Sequence, residues 1–349
     1  MPIAKVSFEE SLGKSVLPKL CCGCASCVVV CPFNCLEYVG RKPALVKECK
    51  VCGICAQICP KHNLPMPTLE QVVFGRERKK GEEFGVYRDV VIARTTDDRI
   101  MEKCQDGGIV TTLLVYALEN GMIDGAALSG TDEKEPLRTV PKLATSANEI
   151  VGCAGTRYTY SANTLAFREG VRQKKRSLAF VGVPCQIQAL RRIQALPLKK
   201  YSDALGFAVG LFCSECFAYK GLVEKLIRGE MGIDPSDVKK VGIKGKILVT
   251  MKSGETKTVA LKDAKKYAYS FCSSCPDFSA ELADISVGGL GLNGWTLTVL
   301  RSGKGEELFR KAEKEGLIRA RSIEEEKDVL DMLVKFSIRK RENASKPVS

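Results

Sequence analysis

Two runs of four cysteines open the chain. Cys21, Cys24, Cys27 and Cys31 follow at gaps of two, two and three residues, and Pro32 closes the run. Cys49, Cys52, Cys55 and Cys59 repeat the pattern 28 residues later, closed by Pro60. Three thiolates in one tight loop hold three irons of a [4Fe–4S] cube, and the fourth cysteine of each run reaches the other cluster. The spacing predicts one cluster on Cys21, Cys24, Cys27 and Cys59 and a second on Cys49, Cys52, Cys55 and Cys31. Zinc favours two separated pairs over runs of four. Disulfides need an oxidising compartment, and the stretch MPIAKVSFEESLGK has no apolar core of a secretory signal. Cys22 and Cys35 lie outside the pattern and read as small buried hydrophobes. His62 reads as a surface residue or one supporting the cluster from outside.

Ten of the 17 cysteines fall within the first 59 residues, which marks a domain boundary. At 349 residues the chain has room for two or three domains. No run of about 18 apolar residues is present, so no direct membrane span and a cytoplasmic location are predicted. A single histidine excludes any site built on several imidazoles. The net charge of +13 predicts an acidic partner. Eight Lys/Arg and no acid lie between Gly170 and Ser202, and nine Lys against two acids between Lys239 and Lys266. These suit either a basic mouth for an acidic ligand or a solvated face. No nucleic-acid-binding motif accompanies them, so no nucleic acid is expected.

Residues 64–85 are rich in Pro, Gly and charge, and 69–85 read as a linker. After them, strands are predicted at Val86–Arg94, Ile123–Ser129, Leu137–Ala144, Ser177–Val183, Ala204–Phe212 and Trp295–Leu300. A hairpin is expected at Lys246–Leu261. Helices are predicted at Gly107–Asn120, Ser161–Lys174, Pro184–Leu196, Ala218–Arg228, Gly305–Glu315 and Ile323–Arg339. Alternating strands and helices define an α/β domain over 86–339, with a frayed polar tail at 340–349. The Asp106-Gly107-Gly108 turn before a helix suits a phosphate or a plain turn. The loop Gly155, Thr156, Arg157, Tyr158 suits a dinucleotide or a plain surface. Cys213 with Cys216, and Cys272 with Cys275, have the spacing of a zinc site or of a third iron–sulfur cluster. Cys104 and Cys153 read as core residues.

Residues 15–68 resemble a bacterial-type dicluster ferredoxin. The segments CQDGGIVTTLLVYALENGMIDGAAL, AGTRYTYSAN, FVGVPCQIQALRR, GLFCSECFAYKGL and FCSSCPDFSAELADISVGG resemble the family of coenzyme F(420) hydrogenase and dehydrogenase beta subunits, over about residues 86–300. That resemblance implies an α/β flavin-binding domain behind the ferredoxin-like domain of 1–68, with FAD and with F(420) as substrate. It implies a third [4Fe–4S] cluster on Cys185, Cys213, Cys272 and Cys275, leaving Cys216 spare. It places flavin contacts at Asp106, Gly107, Gly108, Thr111, Gly155, Thr156, Arg157, Tyr158 and Ser161. With the dicluster front, the chain is most similar to the electron-input subunit of an F(420) dehydrogenase complex. That implies oxidation of reduced F(420) and delivery of single electrons to a membrane-bound complex-I-like partner or a ferredoxin, from the inner face of the membrane. A formate dehydrogenase subunit, a sulfite reductase module, a chlorophyll-derivative reductase and a pure electron relay are the alternatives. A ferredoxin-like domain mobile on its linker is expected to face the partner.

Overall fold

The computed structural model describes residues 4–346. Its centre is an eight-stranded mixed sheet. Thirteen strands occur among the described residues: β1 (Leu36–Val39), β2 (Lys42–Leu45), β3 (Asp89–Thr95), β4 (Gly125–Thr131), β5 (Thr139–Ala144), β6 (Leu178–Gly182), β7 (Leu205–Leu211), β8 (Val238–Ile243), β9 (Lys246–Met251), β10 (Thr256–Ala260), β11 (Ile285–Gly288), β12 (Thr296–Leu300) and β13 (Ile318–Ser322). The large sheet runs β13-β3-β12-β11-β7-β6-β4-β5, β8 to β10 form an antiparallel sheet of three, and β1 and β2 form a hairpin.

The middle strands β11, β7, β6 and β4 are parallel. Strand β12 is antiparallel to both β11 and β3, so β3 points the same way as the parallel set. Parallel strands are covered on both faces, which is why β6, LAFVG, is buried at every position. One face carries the helices Ile109–Glu119 and Gly303–Lys314, whose Leu113, Phe309 and Ala312 pack on Val209 and Ile285. The other carries the helices Thr164–Arg172 and Pro184–Ala195, with Phe167, Ile187 and Leu190 on Phe180 and Ala208. Pro184 occupies the first turn of its helix, where a missing N–H costs nothing. Ser302 caps the Gly303–Lys314 helix by accepting from the Gly305 N–H at 3.2 Å. Strands β8, β11 and β13 and the hairpin β1–β2 were not marked by periodicity, because each is six residues or fewer and partly polar.

Three expectations are corrected. The span 69–85 is not an open linker. The helix Met66–Phe74 buries Leu69 and Glu70, and Arg78 bridges Glu70 and the buried Glu281, the latter at 2.6 Å. The tail does not fray from residue 340, since the helix Lys327–Ala344 carries past it; residues 347–349 lie outside the described residues. Third, the N-terminal segment is packed onto the body rather than hung from it. Ile193 and Leu196 of the body share a core with Val28, Val29 and Ile58. Arg192, buried, donates to the carbonyls of Gln57, Cys59, His62 and Asn63. Tyr201 donates to Val29 at 2.7 Å, and Thr164 to Cys24. Deleting residues 1–68 would strip this apolar face and leave the Arg192 guanidinium without its acceptors. Arg192→Ala is expected to raise amide hydrogen exchange across 54–63 by tenfold or more, through loss of about 1.5–3 kcal/mol of charge-assisted bonding. Unchanged exchange there would show the seat to be held by apolar contact alone.

Candidate functional site

The carboxyl ends of β3, β4, β6, β7 and β11 meet at one edge of the large sheet, and several chemically distinctive segments are attached there. Ligands bind at this edge in open α/β sheets because the helix N-termini and loops converge on it. The Asp106–Gly108 turn follows β3, Thr131 ends β4, Cys185 follows β6, Cys213 follows β7, and Gly289 follows β11.

The cysteines form three groups. Cys21, Cys24, Cys27 and Cys59 line one cavity together with Cys22. Cys31, Cys49, Cys52 and Cys55 line a second, with Cys35 beside them. These are the two crossed sets that the repeat predicts. Among the described residues no three His, Cys, Asp or Glu side chains converge as around a single metal ion; the thiols stand around two cavities instead, a set of soft donors suited to a cube of iron and sulfide. Burial pushes the Cys55 and Cys59 thiols up to about 12, so loading such sites would release protons.

The third group is at the sheet edge. Cys185, in the first turn of its helix, faces the helix's positive end. Cys213 Sγ is 3.8 Å from Cys216 Sγ, and the Cys216 N–H donates to Cys272 Sγ at 3.4 Å. Tyr160 Oη lies 3.6 Å from Cys185 Sγ. Cys216, expected to be spare, is buried with Cys185, Cys213 and Cys272, and with Cys275 close by five thiols rather than four share the site. Burial pushes Cys272 up to about 12 and Cys275 to about 11, the charges of Lys61 and Lys340 opposing it at Cys275. Neither lysine is distinctive in the sequence. Lys61 donates to the Phe271 carbonyl at 3.3 Å and the Ser274 carbonyl at 3.1 Å, and Lys340 donates to the Ser214 carbonyl. Both bring positive charge to a site that would carry thiolates.

The first and third groups touch. Cys22 and Cys24 share an apolar cluster with Cys185, Cys216, Tyr160 and Phe271. Arg41, from the β1–β2 turn, lies over the Tyr269 ring at 3.7 Å and the Tyr160 ring at 4.8 Å. Cys22 and Cys35 are buried, in keeping with their reading as small hydrophobes.

The other expected contacts divide. Gly107 has no room for a side chain: a Cβ would lie 2.4 Å from the Ala93 carbonyl oxygen. Its N–H is already given to Thr296 Oγ1 at 2.8 Å, and its carbonyl accepts from Thr95. Gly107 therefore shapes the turn and offers no free N–H to a phosphate. Gly108 (φ 74°) precedes the helix Ile109–Glu119, and Thr111 is buried on it. Asp106 sits against Gly289, facing Lys240 and Lys244. Burial raises its carboxyl above the ordinary value, with Lys244 and Lys240 opposing. Lys240 donates to the carbonyls of Cys104 and Gln105 at 3.1 and 3.2 Å. Burial pushes the Tyr158 hydroxyl up to about 12. Arg157 is bound to its own loop, giving Nε to Thr131 at 2.9 Å and Nη1 to Cys153 at 2.7 Å and Gly155 at 3.2 Å. Gly155 and Thr156 are turned by that clasp. Ser161 is buried, donating to Asn163 and accepting from Gln186, so it braces the loop from behind. Asp106 and Tyr158 thus lie near one another with Lys240 and Lys244 close to Asp106, whereas Arg157 and Ser161 serve the backbone. The basic stretch 170–202 is partly interior, since Arg191 and Arg192 are buried.

A mixed α/β sheet with thiols gathered at its carboxyl edge, and two four-cysteine cavities docked beside them, has the build of an oxidoreductase that handles electrons. The chain belongs to the family of coenzyme F(420) hydrogenase/dehydrogenase beta subunits: the family's N-terminal model matches residues 90–167 and its C-terminal model residues 175–326. It is thus a member of a family of F(420)-linked oxidoreductases. It is 39% identical over 269 residues to the coenzyme F(420) hydrogenase subunit beta of Methanosarcina barkeri, covering 76% of this chain and 92% of that one. One F(420)H(2) dehydrogenase subunit of Methanosarcina mazei is 35% identical over 207 residues, 59% of this chain and 58% of it. The dicluster front thus brings no longer match to that subunit than to the hydrogenase beta subunits. An F(420)-dependent sulfite reductase of Methanocaldococcus jannaschii aligns with 89% of this chain and 49% of itself at 32% identity, so the match takes in part of the N-terminal segment. A chain of the F(420)-reducing [NiFe] hydrogenase complex from Methanosarcina barkeri superposes with a TM-score of 0.73 at 36% identity, over 76% of this chain and 93% of that one. Among the described residues no helix is long and apolar enough to cross a membrane.

Proposed function

We propose that the chain oxidises reduced coenzyme F(420) at the sheet edge and conducts the electrons singly through three [4Fe–4S] clusters to a partner. The observation that carries this reading is the apolar cluster joining Cys22 and Cys24 to Cys185 and Cys216, which makes the cysteine groups contiguous from sheet edge to N-terminal segment. Bound FAD would supply the conversion of a hydride pair into single electrons. Asp106, Gly108, Thr111 and Tyr158 would line its seat, with Gly107 and the Arg157 clasp holding the backbone around it. Lys240 and Lys244 would meet the phosphate and glutamate tail of F(420). Cys185, Cys213, Cys272 and Cys275 would hold the third cluster, with Cys216 a fifth thiol at hydrogen-bonding distance from Cys213. No side chain is needed as a nucleophile, which agrees with the single histidine. The partner in this reading is a membrane-bound complex-I-like assembly or a ferredoxin.

A second reading, in which the chain is the F(420)-oxidising module of a larger reductase, is favoured by the length of its alignment with the sulfite reductase. The test is cofactor content and turnover of anaerobically purified protein. About twelve irons and one FAD per chain, with F(420)-dependent reduction of a viologen dye, are expected. About eight irons with zinc and no flavin would overturn the proposal. Reduction of sulfite by the chain with added siroheme protein, but of no ferredoxin, would decide for the second reading.

A further inference from the structure

The two cysteine runs repeat at an offset of 28 residues, and the fold preserves the relation. Positive φ at Gly23 (69°) and Ala25 (61°) recurs at Val51 (52°) and Gly53 (71°). Around the first cavity, Cys22–Gly23 and Pro60–His62 make one face. The same offset maps that face onto Lys50–Val51 and Pro32–Asn34 at the second cavity.

The body of the chain is seated on the first face. Cys22 is buried beside Cys185. Gly23 is crowded by the β1–β2 hairpin of its own segment, since a Cβ there would lie 2.6 Å from the Arg41 carbonyl oxygen. Lys61 is bonded to Phe271 and Ser274, and the His62 carbonyl to Arg192. The equivalent second face is bare among the described residues. Phe33 is 50% exposed and Val51 44%. Lys50 is exposed, where its counterpart Cys22 is buried. Val51 is the telling residue. A β-branched side chain in the left-handed region is strained, and this one stays 44% exposed on its own chain. Glycine, used at the covered counterpart, would remove the strain.

We infer that this second face is the docking surface for a separate acidic iron–sulfur protein, seated over Lys50–Val51 and Phe33 as the body is seated over Cys22 and Lys61. The charge around it fits such a partner. Tyr201 lies beside Cys31 and feels the charges of Arg168 and Arg172, and Lys200 stands 5.8 Å from its ring. Lys47 is exposed on the hairpin side, and Glu48 balances only Lys50, at 2.8 Å. An apolar centre with a basic rim calls for an apolar patch ringed by carboxylates. The inference rests on the reading that the cysteine cavities hold electron-carrying clusters.

The test leaves F(420) out, so that failure of the proposed substrate does not affect it. The intact chain is reduced with dithionite, freed of excess, and mixed in a stopped-flow cell with an oxidised acidic dicluster ferredoxin. Val51→Asp is expected to lower the second-order rate by about tenfold or more. Arg172→Glu should lower it severalfold and flatten its fall with salt. Val51→Gly, which relieves the strain of the left-handed backbone, should slow transfer while iron content and dye oxidation of the reduced chain stay at wild-type values. Val72→Asp, at an exposed valine on the helix Met66–Phe74, is the control and should change nothing. Wild-type rates for Val51→Asp, or an equal loss with Val72→Asp, would overturn the inference. A wild-type dimer that Val51→Asp dissociates would also overturn it, giving the face to a second copy of this chain.

Discussion

Cys59→Ser is expected to remove the cluster of the first cysteine run, not that of its own, and to lower the iron content from about twelve to about eight per chain. The reason is the cavity lining. Cys59 stands with Cys21, Cys24 and Cys27, and Cys31 stands with Cys49, Cys52 and Cys55. The short helices Ser26–Val30 and Ile54–Ile58 each hold the third cysteine of a run and end at the fourth, and each carries the chain across to the opposite cavity. The Cys59 carbonyl is held by Arg192 at 2.8 Å, which fixes its position from the body side. Double variants separate the crossed from the uncrossed arrangement. Cys24→Ser with Cys59→Ser should lose no more iron than either alone, about four, whereas Cys24→Ser with Cys31→Ser should lose about eight. The reverse pattern in iron and labile sulfide would show that each run fills its own site.

Asp284→Asn is expected to destabilise the body by about 3–5 kcal/mol, because it leaves a buried guanidinium without its counter-charge. Asp284 is fully buried and lies 2.8 Å from Arg191, itself 1% exposed. It also accepts from the Ala208 N–H at 2.7 Å and from Ser302 at 2.6 Å. One carboxylate therefore joins the Cys185 helix, β7 and the start of the Gly303–Lys314 helix. Burial pushes its carboxyl up, but Arg191 foremost, then Lys304, Ser302 and Ala208, hold it below the ordinary 3.8. A folded value below the unfolded one means that the stabilisation is complete above the unfolded value and is lost as the pH falls through the folded one. The wild type should therefore lose stability below about pH 3.8, and the variant should show a shallower acid limb with a lower denaturant midpoint at unchanged slope. An unchanged midpoint at neutral pH would mean that Arg191 finds other acceptors, its bonds to Leu282 and Gln194 being the ones already made.

Much of the fold can be read along the chain. The hairpin expected at Lys246–Leu261 is formed by β9 and β10, and the helix expected from Pro184 starts there. Those signals are local: a Ser-Gly turn between β-branched runs, and a proline at a first helical turn. The strand β11 escaped because four residues hold too little alternation to stand out. The 69–85 span reads as a linker by composition, yet several of its charges are paired: Arg78 bridges Glu70 and the body's Glu281, and Arg76 pairs with Glu82 at 2.5 Å. Composition reports charge and is blind to pairing.

The cysteine repeat by itself pointed to the two N-terminal thiol groups and to their crossing, because in such runs three closely spaced thiols share one site and the fourth reaches the other, and the two cavities are lined in that way. Tertiary structure decided what lies between groups distant in sequence. It brought Cys216 into the third group, set Cys22 against Cys185, placed Lys61 and Lys340 beside those thiols, and turned Arg157 and Ser161 inward to their own loop. It also chose which face of a repeated unit is covered and which is bare. A spacing rule acts within one loop, over a few residues of chain. Which loops meet is settled by the burial of the sheet and helices that carry them, and no local pattern records it.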